Sequence, residues 1–441
     1  MTLFEAYKNR LTVAESYYSK THEGEKMDNN KKLVVAKCLE NTNKFMNEAF
    51  DNSIGTQRSD MGAFKKFALN LTTVALPNLI ANDLVIVHPM SSLSGYINYI
   101  EYQYASNKGA TKQGDLISNP FGFGNVDREF TGDKITQVVP TGATEVAIAW
   151  TPVLEDFFYN EADKTRYDAK IVKADGTIAY ANVANGKITG VAAGDTVAYV
   201  YDNVVIPQND LPQIKAKMKS IALVAHARRI AIYYSQIAAY QAKTDYGVDL
   251  GNQLSEKAVG ELSYEIDTEV TDLLYNTAKD NTTAAELSEL TWSKTVPVGV
   301  SKAEHYEGFT EILEIARQFI YDRTKKFAPN YMLCASNLLP VLSLVKGFRP
   351  ANAGTINGPY LAGTINGLKV FVTPNMAAGD FVVGVNGNDM MSSAAVYAPY
   401  MAIVPTMLLQ YADGGTSQGW STLYDLKVLN PNLLVYGKVT A

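Results

Sequence analysis

Apolar positions along this chain recur every four residues in some stretches and every second residue in others, and the switches between the two mark its elements. From Asp249 to Lys279, Leu254, Ala258, Leu262, Ile266, Val270 and Leu274 recur every four residues, with Val259 and Leu273 widening the stripe and Glu256, Glu261, Glu265 and Glu269 beside it. That pattern predicts a long helix whose buried seam drifts around the cylinder. A second helix is predicted over His305 to Lys326, where Phe309, Ile312, Leu313, Ala316, Phe319 and Ile320 share a face. Residues 1 to about 60 are polar, and Leu33, Val34, Cys38, Leu39, Phe45, Met46 and Phe50 form a stripe too narrow to close a core. They read as an arm that lies on the body of the chain or on a neighbour. Met61 to Val74 is expected to continue as helix up to Pro77, which fixes its own backbone and biases Leu76 away from helix. Helix is also expected from Ile214 to about Ala242, which would put Lys215, Lys217, Lys219, Arg228 and Arg229 on one solvated or salt-bridged helix face.

Period two governs the rest. Behind a short apolar strand from Leu84 to Val87, the residues Tyr96, Asn98, Ile100, Tyr102 and Tyr104 alternate with Ile97, Tyr99, Glu101 and Gln103. A strand with tyrosines on both faces needs cover on both, and a thin layer obtains the second cover from another sheet or a neighbouring molecule. A Gly-, Asn- and Asp-rich loop follows, with Phe121 and Phe123 expected to face whatever the loop meets. From Ile135 to Ile206 short strands are separated by the hairpin signals Asp175-Gly176 and Asn185-Gly186, which suggests a small sandwich or barrel. It could be an immunoglobulin-like adhesive module or a clamp on a neighbouring subunit. Past residue 328, Met332 to Ala335 reads as a buried strand, Asn337 to Val345 as a short helix, and Asn366-Gly367 as a hairpin turn; Asp380 to Val385, Ala394 to Tyr397, Met401 to Tyr411 and Tyr424 to Val435 complete a strand-rich unit.

Two blocks carry a resemblance. PNLIANDLVIVHPMSSLSG, from Pro77 to Gly95, and the stretch from Lys215 to Leu274 resemble, in this order, blocks of the major capsid proteins of T-even-like tailed bacteriophages. The resemblance implies an α+β fold of the Hong Kong 97 type. In that scheme residues 1–60 are an N-terminal arm, and 61–105 with 211–327 are a peripheral domain whose spine helix covers about 249–279. Residues 106–210 form an extended loop holding the β-rich insertion at about 135–206, residues 328–420 are an axial domain, and 421–441 are a C-terminal return strand. It further implies a shell of hexamers, with pentamers of the same chain or of a dedicated vertex protein, around packaged DNA contacted without sequence specificity. Scaffold, portal and decoration proteins would be further partners, and assembly would occur in the bacterial host cytoplasm. Phe121, Phe123, Tyr99, Tyr102, Glu261 and Glu265 are the candidate subunit contacts. A scaffold-binding leader in such phages is removed after a glutamate; Leu3-Phe4-Glu5 and Met46-Asn47-Glu48 are weak matches, so the arm is expected to be retained, which the mass of subunits from mature particles tests.

Composition narrows the alternatives. Of 441 residues, 47% are hydrophobic and only 19% charged, so surface that would ordinarily be charged is expected to be interface. A net charge of -6 argues against a protein held mainly by nucleic acid. Cys38 and Cys334 supply no disulfide framework, the first residues lack the apolar core of a signal peptide, and no window reaches the length of a membrane helix; the chain reads as intracellular in origin. No cofactor, metal or catalytic residue is expected. Gly415-Thr416-Ser417-Gln418-Gly419 matches a nucleophile elbow, but the residues after it alternate like a strand and no histidine follows. His22, His88, His226 and His305 have no metal spacing, Gly122-Phe123-Gly124 opens no helix, and the glutamate column reads as a solvated or subunit-facing stripe. A β-rich adhesin or surface-layer protein and a hydrolase using Ser417 are the competing readings.

Overall fold

The four-residue recurrence becomes a helix of 32 residues, Leu250–Asn281, started by Asp249, whose side chain accepts the Asn252 N–H. Four residues turn the helix by about 400°, so five such steps rotate the buried line by roughly half a turn. That rotation lets one helix serve two sheets. Its first half buries Ala258 and Leu262 against Ile403 and Trp420. Ile266, Val270, Leu274 and Ala278 then join a larger core with Phe309, Leu313, Ala316 and Ile320 from the helix Phe309–Thr324.

The computed structural model describes residues 3–21, 25–51, 69, 73, 79–109, 111–124, 126–204, 211–247, 249–351, 358–387, 389–406, 409–412 and 414–440. These divide into a larger unit, Met1–Ile97 with Ser220–Ala441, and a smaller one, Asn98–Lys219. In the larger unit a seven-stranded mixed sheet runs in the order Thr291–Ser293, Leu434–Thr440, Asp380–Gly384, Tyr331–Ala335, Leu368–Thr373, Tyr360–Ile365, Arg349–Pro350. Tyr331–Ala335 lies parallel to Leu368–Thr373 and is buried throughout, as a central strand covered on both faces must be. The Asn366-Gly367 hairpin forms as its sequence predicts, both residues taking positive φ (46° and 82°) between Tyr360–Ile365 and Leu368–Thr373. A second sheet joins Ile86–Val87, Ala395–Pro405, Gly415–Val428 and His226–Ser235 in that order, with Leu409–Gln410 also paired to Gly415–Val428.

The arm region finds its support in the chain itself. Helix Asn29–Asp51 sets Val34 and Cys38 on Ala402, and Met46 on Met401 and Val404, while Leu39 joins Leu11, Ala14 and Tyr18 in a separate cluster. Leu33 and Phe45 stay exposed. Phe50, most of the helix expected over Met61 to Val74, and the turn at Pro77 lie outside the described side chains and residues.

The smaller unit has its own core. A four-stranded antiparallel sheet, Ile178–Ala181, Ala169–Val172, Thr196–Val200 and Lys134–Val138, meets the pair Lys187–Thr189 and Glu145–Ala147. Ile135, Ile171, Val197 and Tyr199 from the first pack with Val146 and Ile188 from the second, a small sandwich in miniature. Strands Ser94–Tyr104 and Ile214–Val224 lead the chain into and out of this unit and are neighbours in a sheet with Leu116–Asn119 and Gly122–Phe123.

Four expectations are corrected. Helix from Ile214 to Ala242 is two strands, Ile214–Val224 and His226–Ser235, then a helix only over Gln236–Tyr246. The five basic residues therefore sit on strands, and His226 begins a strand instead of lying in a helix. Leu84 ends a short helix, Ala81–Leu84, so the strand there is only Ile86–Val87. The final segment, expected as one strand over Tyr424 to Val435, is the end of Gly415–Val428 and the start of Leu434–Thr440, which belong to different sheets and are separated by the turn at Pro431.

Candidate assembly surfaces

On Ser94–Tyr104 strict alternation places Ile97, Tyr99 and Glu101 on one face and Tyr96, Ile100 and Tyr102 on the other. The first face is covered within the chain. Phe121, expected to be exposed, is 9% exposed and meets Tyr99 edge to face with ring centroids 5.2 Å apart. The cause is local: Asn119 Oδ1 accepts the Phe121 N–H at 3.1 Å, turning the residue back onto the strand. Phe123, on the pleat opposite Gly122, is 50% exposed, and Tyr102 is also exposed. A register shift between Tyr102 and Gln103 then moves Tyr104 from the open face into the interior, where it packs on Phe130 at 4.4 Å. Only one face is thus left for a neighbour.

Charge on this element is paired. Lys219 Nζ stands 2.6 Å from the buried Glu101 carboxylate, and that hydrogen bond first, then the one from Gln103, hold Glu101 below the usual carboxylate range against its desolvation. Lys215 and Lys217, four and two residues before Lys219 on the same pleat, remain exposed.

Glu261 and Glu265 lie on the long helix of the larger unit. Arg228, reaching from His226–Ser235, stands 3.5 Å from Glu265 and 2.6 Å from Glu269, and its guanidinium lies 5.7 Å from the centre of the Tyr424 ring. Tyr424 donates its hydroxyl to Glu269. Burial works against a charged Arg228, and Tyr424, Glu269 and Glu265 outweigh it; burial and the Glu269 bond together raise Tyr424. Glu265 therefore ties helix to sheet. Glu261, one turn earlier, is exposed and in no ion pair among the described residues.

Sequence reasoning missed Arg228 as the partner of the acidic column because it placed Arg228 on a helix. It also missed Lys108, 2% exposed, whose ammonium donates to Phe130 O (3.0 Å), Gly132 O (2.6 Å) and the Tyr201 hydroxyl (2.7 Å) and lies 5.0 Å from the Trp150 ring centre. Nothing in the loop around it marks that burial.

The chemical alternatives find little here. Ser417 lies within the strand Gly415–Val428, opposite Tyr233 and Leu409, so no helix follows it as an elbow requires. His305 stacks on Trp292 at 4.9 Å and approaches Ser293 O at 2.9 Å, and both cysteines are buried. Among the described residues no group of three acidic, histidine or cysteine side chains could hold a metal, and no helix is long and apolar enough to cross a membrane.

Residues 61–434 match a family model described as major capsid protein Gp23. The chain is 24% identical over 402 residues to the major capsid protein of Enterobacteria phage T6, covering 81% of this chain and 76% of that one. It is likewise 24% identical to the major capsid protein of Enterobacteria phage T4, covering 81% and 73%. Among solved structures, a chain of Mycobacterium phage Bobi superposes with a TM-score of 0.39 at 9% identity, covering 82% of this chain and 90% of that one. The capsid of Myoviridae phage XM1 does so with a TM-score of 0.35 at 9% identity, covering 53% and 79%.

Proposed function

The chain belongs to the Gp23 family of major capsid proteins, and from that premise we propose how it builds the head of a tailed bacteriophage. Copies associate into hexamers, and into pentamers unless a dedicated vertex protein supplies them, closing a shell around packaged DNA that the inner face contacts without reading sequence. Scaffold, portal and decoration proteins are the further partners in this reading, and assembly takes place in the host cytoplasm before the chain becomes part of the virion. The domain scheme accompanies it: arm 1–60, peripheral domain 61–105 with 211–327, extended loop 106–210, axial domain 328–420 and the C-terminal return 421–441. No enzymatic role is proposed. The adhesin and surface-layer reading has no support from the relatives.

The observation that carries the proposal is the family match over residues 61–434. Within it, the face of Ser94–Tyr104 bearing Tyr96, Ile100 and Tyr102, with Phe123 two strands away in the same sheet across Ser118, supplies apolar surface of the kind that obligate assemblies bury. Phe123→Ser is expected to leave far-UV circular dichroism and thermal unfolding of the subunit unchanged while lowering the yield of shells. Phe121→Ser is expected to lower the unfolding temperature as well, because it removes the ring packed on Tyr99. Wild-type shell yield from the Phe123 variant would remove this residue from the interface.

A further inference from the structure

None of the 11 residues of the helix Gln236–Tyr246 is buried, although the helix is well terminated: the Ser235 side chain accepts the Ala238 N–H, and Gly247 closes the other end with a φ of 67°. A helix this short is marginal in water and ordinarily gains its stability by packing an apolar face. Here Ile237 and Tyr240, neighbours one turn apart, are 73% and 72% exposed. The surface continues at the base of the helix. Tyr233, on the preceding strand, lies 6.3 Å from Tyr411 between ring centroids, and the Gln236 N–H bonds Gly414 O at 3.0 Å, which fixes the start of the helix beside the Leu409–Gln410 strand and its turn. Tyr233, Leu409 and Tyr411 are each at least half exposed.

We infer that Tyr233, Ile237, Tyr240, Leu409 and Tyr411 form a contact surface for a second copy of this chain, an inference that rests on the shell-building role proposed above. Five side chains of this size and exposure present on the order of 700 Å², close to the roughly 800 Å² that each partner contributes to a stable interface. Tyrosines dominate the patch, as they do at the centres of protein interfaces. Lys243 and Asp245 on the same helix have opposite signs, so the patch lacks the basic rim that an anionic polymer or membrane surface would select.

The test uses the full chain with the photoreactive residue p-benzoylphenylalanine in place of Tyr240. Irradiation of assembled material should give a covalent dimer of twice the 48.2 kDa chain mass, and irradiation of dissociated subunits should not. In parallel, the double variant Ile237→Glu, Tyr240→Glu should keep the circular dichroism of the wild-type subunit and need at least tenfold more protein to assemble. Shells of the p-benzoylphenylalanine chain that yield no dimer from residue 240, or an adduct with a different polypeptide in its place, would overturn the inference. If the wild-type chain makes no shell and the p-benzoylphenylalanine chain nevertheless gives the residue-240 dimer in the associated material, the shell reading would be overturned and this surface left standing.

Discussion

Asp267 sits on the long helix one position past Ile266, 7% exposed, where it accepts the backbone N–H groups of Ile80 and Ala81 while its Oδ1 finds no partner. Burial first, and the negative charge of Asp83, push its carboxyl up to about 7 against the pull of the two N–H bonds. Asp83 is itself paired with Lys31 at 3.1 Å, and Asp267 is among the groups that raise the buried Tyr397. A carboxyl raised in the folded state binds protons that the unfolded chain has released, so its contribution is full below the unfolded value near 4 and is lost as pH rises toward 7. Asp267→Asn keeps an acceptor for the two N–H groups without the charge. Its stability relative to wild type, from urea unfolding, should be higher at pH 8 than at pH 5, by up to a few kcal/mol. An equal difference at both pH values would show that Asp267 is ionised in the folded state throughout that range, as it is in the unfolded chain, and that its carboxyl is not raised. The sequence offered no sign of this group, since a polar residue at the shoulder of an apolar seam reads as solvent-facing. Phe121 and Phe123 were equally opaque: two residues apart in a glycine-rich loop, they are separated in burial by one Asn119 side-chain hydrogen bond.

At the scale of elements, legibility followed the strength of the period. The long helix keeps one recurrence over its whole length and was readable to within two residues at either end, and the Asn366-Gly367 hairpin announced itself through its turn chemistry. Ile214 to Ser235 misled because Lys, Ala and Arg favour helix intrinsically. Its alternation was nevertheless present: Ile230, Ile232 and Tyr234 point toward the interior while Arg229, Ala231 and Tyr233 point out, and ten consecutive pairings with Gly415–Val428 override the propensity. The smaller unit gives the matching prediction. Lys108→Met should remove the ammonium that donates to Phe130 O, Gly132 O and the Tyr201 hydroxyl, leaving Gly132 O only the longer Tyr201 bond, and cost about 2–4 kcal/mol. Hydrogen exchange should localise the loss to residues 133–201 and spare the long helix between Leu262 and Leu274. Unchanged protection in the smaller unit would mean that Lys108 only fills space.

Over the whole molecule, two short blocks, Pro77 to Gly95 and Lys215 to Leu274, were enough to indicate the family although the chain is only 24% identical to its relatives over 402 residues. What they could not convey was how burial is distributed. The arm was legible as a stripe needing support from the body of the chain or from a neighbour, and only the fold shows that Asn29–Asp51 lies on the chain's own Ala395–Pro405. Tyrosines on both faces of one strand posed a double problem, and the fold covers one face, leaving Tyr96, Ile100 and Tyr102 open. Those open residues, with the uncovered helix Gln236–Tyr246, are the surfaces from which assembly is argued. Electron microscopy of the purified wild-type chain over a range of micromolar concentrations tests that claim most directly: the account predicts closed shells, tubes or sheets built from rings of this subunit, and a monodisperse monomer at every concentration would contradict it.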